Sequence, residues 1–255
     1  MQKFINFFMA SPHQSKFTHK KHVTVLLIVL TVFFYMINGC GFVTQGIVSG
    51  ASKTFPGCIY FANTDEKLVA LTIDDGPDSF TTRQILSVLE QYNAKATFFL
   101  IGSRVHGNQD VVSKIVEQGH EIGHHMFTGK TTIRMPYDEF TEQFNKTDSI
   151  LSQYAEVRWF RPGSGWYSDE MIEYLSDSDC NYRCVLGSVY PFDVQIPSTT
   201  FAAVFILINT RPGSIIVLHD RGDRGKRTVK VLSKIIPKLQ KRGYTFVTLS
   251  KLFEF

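Results

Sequence analysis

The sequence predicts an α/β fold, a parallel β-sheet covered by helices. Short apolar runs alternate with amphipathic stretches from about residue 66 onward, the pattern of repeated βαβ units. Polar residues follow the apolar runs directly: Asp74-Asp75, Arg161, Asp193 and His219-Asp220. In parallel α/β barrels the strand ends carry the chemistry. The alternative is an open doubly wound sheet, which in its dinucleotide-binding form carries a G-x-G-x-x-G loop. Gly102-Ser103-Arg104 lacks that spacing, so dinucleotide binding is not expected. With 255 residues, 44% of them hydrophobic, the chain suits one sizeable core rather than several.

The elements follow in order. Residues 68–73 (LVALTI) read as a buried strand, and 81–92 as a helix with Ile85, Val88 and Leu89 on one face. Residues 96–101 form a second strand, and a helix over 110–118 stops at Gly119. Glu121-Ile122 reads as a short strand. Further helices are predicted over 137–154, 169–177, 199–209 and 227–242, and further strands over 157–160, 182–189, 214–219 and 244–249. The last helix carries Val231, Leu232, Ile235 and Leu239 on its apolar face, and Pro237 is expected to kink it.

Ahead of this domain the chain has a different character. Residues 1–22 hold Lys3, Lys16, Lys20 and Lys21, and no acid precedes Asp65. Residues 23–39 are almost wholly apolar and read as a signal anchor or signal peptide. The basic lead then predicts a cytoplasmic N-terminus, and a membrane-anchored or secreted domain facing the lumen or exterior. Residues 40–64, rich in Gly, Ser and Thr, form a linker, and 65–255 form the folded domain. The four lead lysines account for the whole formal charge of +4. The neutral body excludes a nucleic-acid binder and favours a neutral substrate.

Four cysteines, Cys40, Cys58, Cys180 and Cys184, are compatible with an oxidising compartment. They lack the paired spacing of a structural zinc site. Cys180 and Cys184 could pair with each other, or Cys184 could be a plain buried thiol. Asn145-Lys146-Thr147 is a glycosylation sequon.

Two motifs carry chemistry. Leu71-Thr72-Ile73-Asp74-Asp75-Gly76-Pro77-Asp78 ends a strand in adjacent carboxylates and turns away at once. One acid can bind a cation while the other accepts a proton; an Asp-Gly turn or a helix cap is the plainer alternative. The second, Gly119-His120-Glu121-Ile122-Gly123-His124-His125, contains a literal H-E-x-x-H. A zinc protease needs that pattern on a helix, with both histidines on one face. Gly119 and Gly123 oppose a helix here.

With these residues in place, the stretch from about 66 to 250 resembles the polysaccharide deacetylase (NodB homology) family. The family's T-F-D-D-G-P motif is matched by Thr72-Ile73-Asp74-Asp75-Gly76-Pro77, and its late L-H-D motif by Leu218-His219-Asp220. Its R-x-P-x-G motif is matched loosely by Arg161-Pro162-Gly163-Ser164-Gly165. Its Asp-Trp motif is matched at Asp193, with Val194 at the usual tryptophan. The resemblance implies a distorted, incomplete (β/α) barrel. It also implies metal-assisted hydrolytic N-deacetylation of an N-acetylglucosamine-containing polysaccharide, chitin-like or peptidoglycan.

By position, the resemblance implies Asp74 as the general base, Arg161 as its holder, His219 as the general acid and Asp193 as the partner that raises the pKa of His219. The backbone N–H of Ser164 would face the oxyanion. Asp75 and His125 would be ligands of a divalent metal, zinc by the same resemblance. Met126 and Gly129 depart from the family's H-[ST]-x-x-H, and Gly129 stands where the second histidine is expected. His124 could replace it only in an altered loop, because neighbours on an extended segment face opposite ways. His120 and His124 are therefore read as exposed loop residues. The competing reading keeps the fold without catalysis: a glycan-binding pseudoenzyme that has lost its metal.

Overall fold

The computed structural model describes residues 48, 50, 53 and 56–254, other than 133, 178 and 179. The expected lead and anchor, 1–22 and 23–39, lie outside the described residues. Among those described, no helix is long and apolar enough to cross a membrane.

The strands are β1 (Cys58–Ile59), β2 (Leu68–Gly76), β3 (Thr97–Leu100), β4 (Glu121–His124), β5 (Trp159–Phe160), β6 (Arg183–Val185), β7 (Ile215–His219) and β8 (Thr245–Val247). The helices are α1 (Thr81–Gln91), α2 (Gln109–Glu117), α3 (Tyr137–Leu151), α4 (Asp169–Ser176), α5 (Thr199–Asn209), α6 (Gly222–Lys241) and α7 (Leu249–Leu252). The sheet order is β1-β6-β5-β4-β3-β2-β7, with β8 on the first half of β2, and every named pair is parallel. Single bridges join Val189 to Ile216 and Phe61 to Ser214. They draw the β1-β6 side of the sheet against β7, so the sheet curls into the incomplete barrel that the resemblance implied.

Side-chain alternation along the strands builds two layers. On β2, Val69, Leu71 and Ile73 join the large outer core beneath the helices, while Ala70 joins the smaller inner one. Phe98 and Leu100 face outward on β3, and Phe99 faces inward. Trp159, Val185 and Ile215 complete the inner layer, and Leu249 and Leu252 of α7 pack with it. The inner layer is crowded. A Cβ at Gly123 would lie 2.7 Å from the Phe99 ring, so only glycine fits there.

Several boundaries differ from expectation. The last long helix starts at Gly222, five residues earlier than 227, and carries Pro237 inside one element. The 182–189 strand shrinks to β6, with Val189 reduced to a bridge. Cys184 pairs with Cys58, not Cys180, and the bond ties β1 to β6 where Cys58 and Cys184 are register partners. Cys180 is a free, half-buried thiol.

Candidate active site

The inward parity of each strand delivers the site. Asp74 follows Ala70 and Thr72 on the inner face of β2, and His219 follows Ile215 and Val217 on β7. The two are register partners across the β2–β7 pair. Arg161 follows Trp159 out of β5, and His125 follows Gly123 out of β4. All four line a cleft of about 510 Å³ with Tyr190, Ser164, Arg104 and Arg224. Strand periodicity alone would turn Asp75 away from Asp74. The β2–β3 register shifts between Asp74 and Gly76, and Asp75 takes φ 72°. This irregularity re-aims its side chain, as bulges beside sites do, and Asp75 enters the same cleft.

The acid–base half consists of two buried ion pairs. Arg161 Nη1 donates to Asp74 Oδ1 at 2.7 Å and to Thr72 Oγ1 at 2.7 Å. Its other nitrogens donate to the carbonyls of Val185 at 3.2 Å and Leu186 at 2.5 Å, and its guanidinium lies 4.2 Å above the Phe99 ring. Asp74 and Arg161 are each 3% exposed, so each charge relies mainly on the other, while Asp74 still borders the cleft. On the other strand, His219 Nδ1 meets the Asp193 carboxylate at 3.0 and 3.1 Å, and the His219 backbone N–H donates to Asp193 Oδ2 at 3.1 Å. Burial alone would lower the His219 pKa; the hydrogen bond and charge of Asp193 outweigh it and raise the value. Tyr190 stands edge-on to the imidazole with centroids 5.9 Å apart.

The Asp75 half is built differently. Arg224 Nη1 lies 2.9 Å from Asp75 Oδ2, while Arg104 Nη1 donates to the Asp75 carbonyl and lies 3.9 Å from Oδ1. His125 Nδ1 donates to the Arg161 carbonyl at 2.7 Å, which points Nε2 towards Asp75 Oδ1, 3.9 Å away. Gly129 is at the cleft wall, and a Cβ there would lie 2.8 Å from Ile101 Cδ1 and 3.1 Å from Arg104 Nη2. Sequence reasoning missed Arg104 and Arg224. Neither belongs to a quoted motif; only their places, after β3 and in the first turn of α6, are compatible with a site at the strand ends.

The outward residues have structural duties. His124 is fully buried, not exposed as expected. Its Nε2 contacts the Phe144 carbonyl at 3.0 Å, its Nδ1 accepts from Met126 N–H at 3.2 Å, and its ring stacks on Phe144 at 4.2 Å. Burial drives its pKa down to about 3. His120 is also buried, at the opposite end of β4, where it accepts from Ala96 N–H at 3.3 Å. Burial and then Lys95 lower its pKa to about 4. Glu121 accepts from Thr97 Oγ1 at 2.8 Å, Trp159 Nε1 at 3.1 Å and Ser250 N–H at 3.2 Å. HEIGH is thus strand β4 and its entry, away from the cleft, and the zinc-protease pattern is coincidental. Asp220 bonds Thr81, Thr82 and the Arg221 N–H, locking β7 to the start of α1.

The chain has relatives. Residues 61–184 match the family described as "Polysaccharide deacetylase". A peptidoglycan-N-acetylglucosamine deacetylase from Bacillus cereus is 34% identical over 194 residues, covering 75% of this chain and 90% of its own length. The chain belongs to the polysaccharide deacetylase family. Its class is that of the carbohydrate deacetylases, which are hydrolases. A solved peptidoglycan N-acetylglucosamine deacetylase superposes with TM-score 0.74 at 32% identity, covering 80% of this chain and 96% of that one. A family 4 pseudoenzyme from Bacillus anthracis superposes with TM-score 0.69 at 28% identity, covering 77% and 69%. A family 4 acetyl xylan esterase from Clostridium thermocellum, solved with a cobalt ion, gives TM-score 0.66 at 36% identity, covering 73% and 90%.

The deacetylase family implies a metal, and the donor set here does not fit one. A catalytic zinc takes three protein ligands. Asp75 and His125 supply two, Gly129 supplies none, and His124 points into the outer core. Among the described residues no group of three or more His, Cys, Asp or Glu is arranged to hold an ion. The Asp75 carboxylate also already faces two guanidinium groups.

Proposed function

We propose that the chain hydrolyses the acetamide of N-acetylglucosamine units in a polysaccharide such as chitin-like polymer or peptidoglycan. The observation that carries this reading is the pairing of Arg161 with Asp74 and of Asp193 with His219 on adjacent strands above one cleft. Arg161 occupies one Asp74 oxygen and leaves the other to accept a proton. Asp193 fixes His219 Nδ1 and leaves Nε2 as the proton donor. Asp74 takes a proton from water, and the water oxygen bonds to the acetyl carbon. The C–N bond then breaks as His219 Nε2 gives its proton to the departing nitrogen, releasing acetate and a free amine. The Ser164 backbone, at φ 59° on the cleft wall, is a candidate donor to the oxyanion. The Cys58–Cys184 bond supports a location outside the reducing cytoplasm, with residues 23–39 as the anchor or signal.

Acetate released from a chitin oligomer, and from peptidoglycan fragments, tests this reading. Wild-type chain should release it, and Asp74→Asn should lower the rate by about 10²–10⁴-fold, the range of a general base. Gly129 favours a second reading, a pseudoenzyme that binds glycan. Oligomer binding with no acetate release under any metal condition would establish it in place of the first.

A further inference from the structure

We propose that Arg104 and Arg224 together supply the positive charge that a divalent cation supplies in a metal-loaded deacetylase, and that this guanidinium pair binds the acetyl oxygen and the acetate product. The inference rests on the deacetylase reading of the same cleft.

Three observations converge. First, the two guanidiniums meet Asp75 from different elements: Arg104 from the turn Gly102–Arg104 after β3, and Arg224 from the first turn of α6. Arg224 Nη1 lies 2.9 Å from Asp75 Oδ2, and Arg104 Nη1 reaches the Asp75 carbonyl. A cation bound at Asp75 would have to displace Arg224 and sit against both positive groups. Secondly, the position of the absent histidine borders the Arg104 guanidinium. A Cβ on Gly129 would lie 3.1 Å from Arg104 Nη2 and 2.8 Å from Ile101 Cδ1, so a larger residue there would press on the guanidinium where it now lies. Thirdly, the charge balances. A divalent cation on one carboxylate with neutral histidines leaves one net positive charge; two guanidiniums on Asp75 leave the same.

Both arginines also stay available to a ligand. Their side chains are 21% and 33% exposed, and both line the cleft with Asp74 and His219. Each guanidinium carries five N–H groups and no acceptor, and the contacts to Asp75 engage one nitrogen of each. Arginine keeps its charge under burial and matches carboxylate geometry with two parallel donors. During the reaction the negative charge that develops on the acetyl oxygen, as water adds, lies against these donors. On collapse the C=O re-forms, the C–N bond breaks, the amine takes its proton from His219, and acetate remains on the pair.

The test uses the full chain. Wild type is incubated with Zn²⁺ or Co²⁺, desalted, and its metal content measured. Acetate binding is followed by NMR titration in wild type, Arg224→Gln and Arg104→Gln, with circular dichroism as a check of folding. Acetate release from a chitin oligomer is measured with and without EDTA. The expected results are no stoichiometric metal, release unchanged by EDTA, and acetate affinity at least about tenfold weaker in each folded variant, the scale of one charged hydrogen bond. The double variant Gly129→His with Arg104→Ala should gain Zn²⁺ or Co²⁺ binding. One equivalent of metal in wild type, release abolished by EDTA and restored by Zn²⁺ or Co²⁺, or unchanged acetate affinity in Arg224→Gln would each overturn the proposal. If no acetate is released in any condition, the deacetylase reading fails. The metal and acetate measurements then still decide whether the guanidinium pair binds the anion.

Discussion

The two halves of the cleft hold charge in different ways. In the acid–base half, Asp74 and Arg161 are packed between Thr72, Phe99 and the β6 end and meet solvent only at the cleft, and Asp193 with His219 is nearly as enclosed. In the Asp75 half, the carboxylate pairs with guanidiniums that remain partly in water. The acid–base residues arrive by regular strand parity, whereas Asp75 arrives by a bulge and Arg104 and Arg224 by turns. A buried pair acts as a unit because losing one partner strands the other without solvent. A pair whose guanidiniums are a fifth to a third exposed can exchange one partner for a ligand at smaller cost. The first half is therefore suited to hold its acid and base in fixed positions and the second to bind and release an anion.

Substitutions sharpen this contrast. Arg161→Met leaves Asp74 buried without its cation and should cost about 3–5 kcal/mol of stability, measured by urea unfolding, together with loss of acetate release. A smaller cost than that of an exposed pair would show that Arg161 is not what compensates the buried Asp74 carboxylate. The two outward histidines provide an independent measure of burial. His120 and His124 have folded pKa values of about 4 and about 3, below the unfolded 6.5. The unfolded chain therefore takes up protons that the folded chain does not. Stability should fall as pH drops below about 6.5, by up to about 1.4 kcal/mol per pH unit for each histidine. His219 acts with the opposite sign: its raised pKa stabilises below the unfolded value and the contribution is lost as pH rises through the folded one. In Asp193→Asn, burial of the imidazole is left with less to oppose it, so the alkaline limb of the activity profile should move to lower pH; an unmoved limb would remove His219 as the acid. Arg224→Gln should change stability least, by about 1 kcal/mol or less, because Arg224 and Asp75 keep contact with water.

Much of this was legible in the sequence because strand parity is a local property. Asp74, Arg161 and His219 each follow a short apolar run, so one strand end suffices to place each, and the family resemblance gave their roles. The same parity separates His125 from His124. What parity could not show was where the outward residue would go. His124 enters an aromatic cluster of Phe144, Phe160 and Tyr182 supplied by α3 and distant strands, so it is a core residue rather than an exposed one. The Cys58–Cys184 bond depends on β1 joining β6 across 126 residues, which local spacing does not encode. Arg104 and Arg224 were silent for the same reason. Two arginines 120 positions apart form a pair only after β3 and α6 are brought to the same bulge.

The most direct test of the account is acetate release from a chitin oligomer by wild-type chain freed of metal with EDTA, with Asp74→Asn run beside it. Chelated wild type should release acetate at its untreated rate, and Asp74→Asn should be slower by about 10²–10⁴-fold. Equal rates in the two proteins, or a wild-type rate that vanishes with EDTA and returns with Zn²⁺ or Co²⁺, would contradict it.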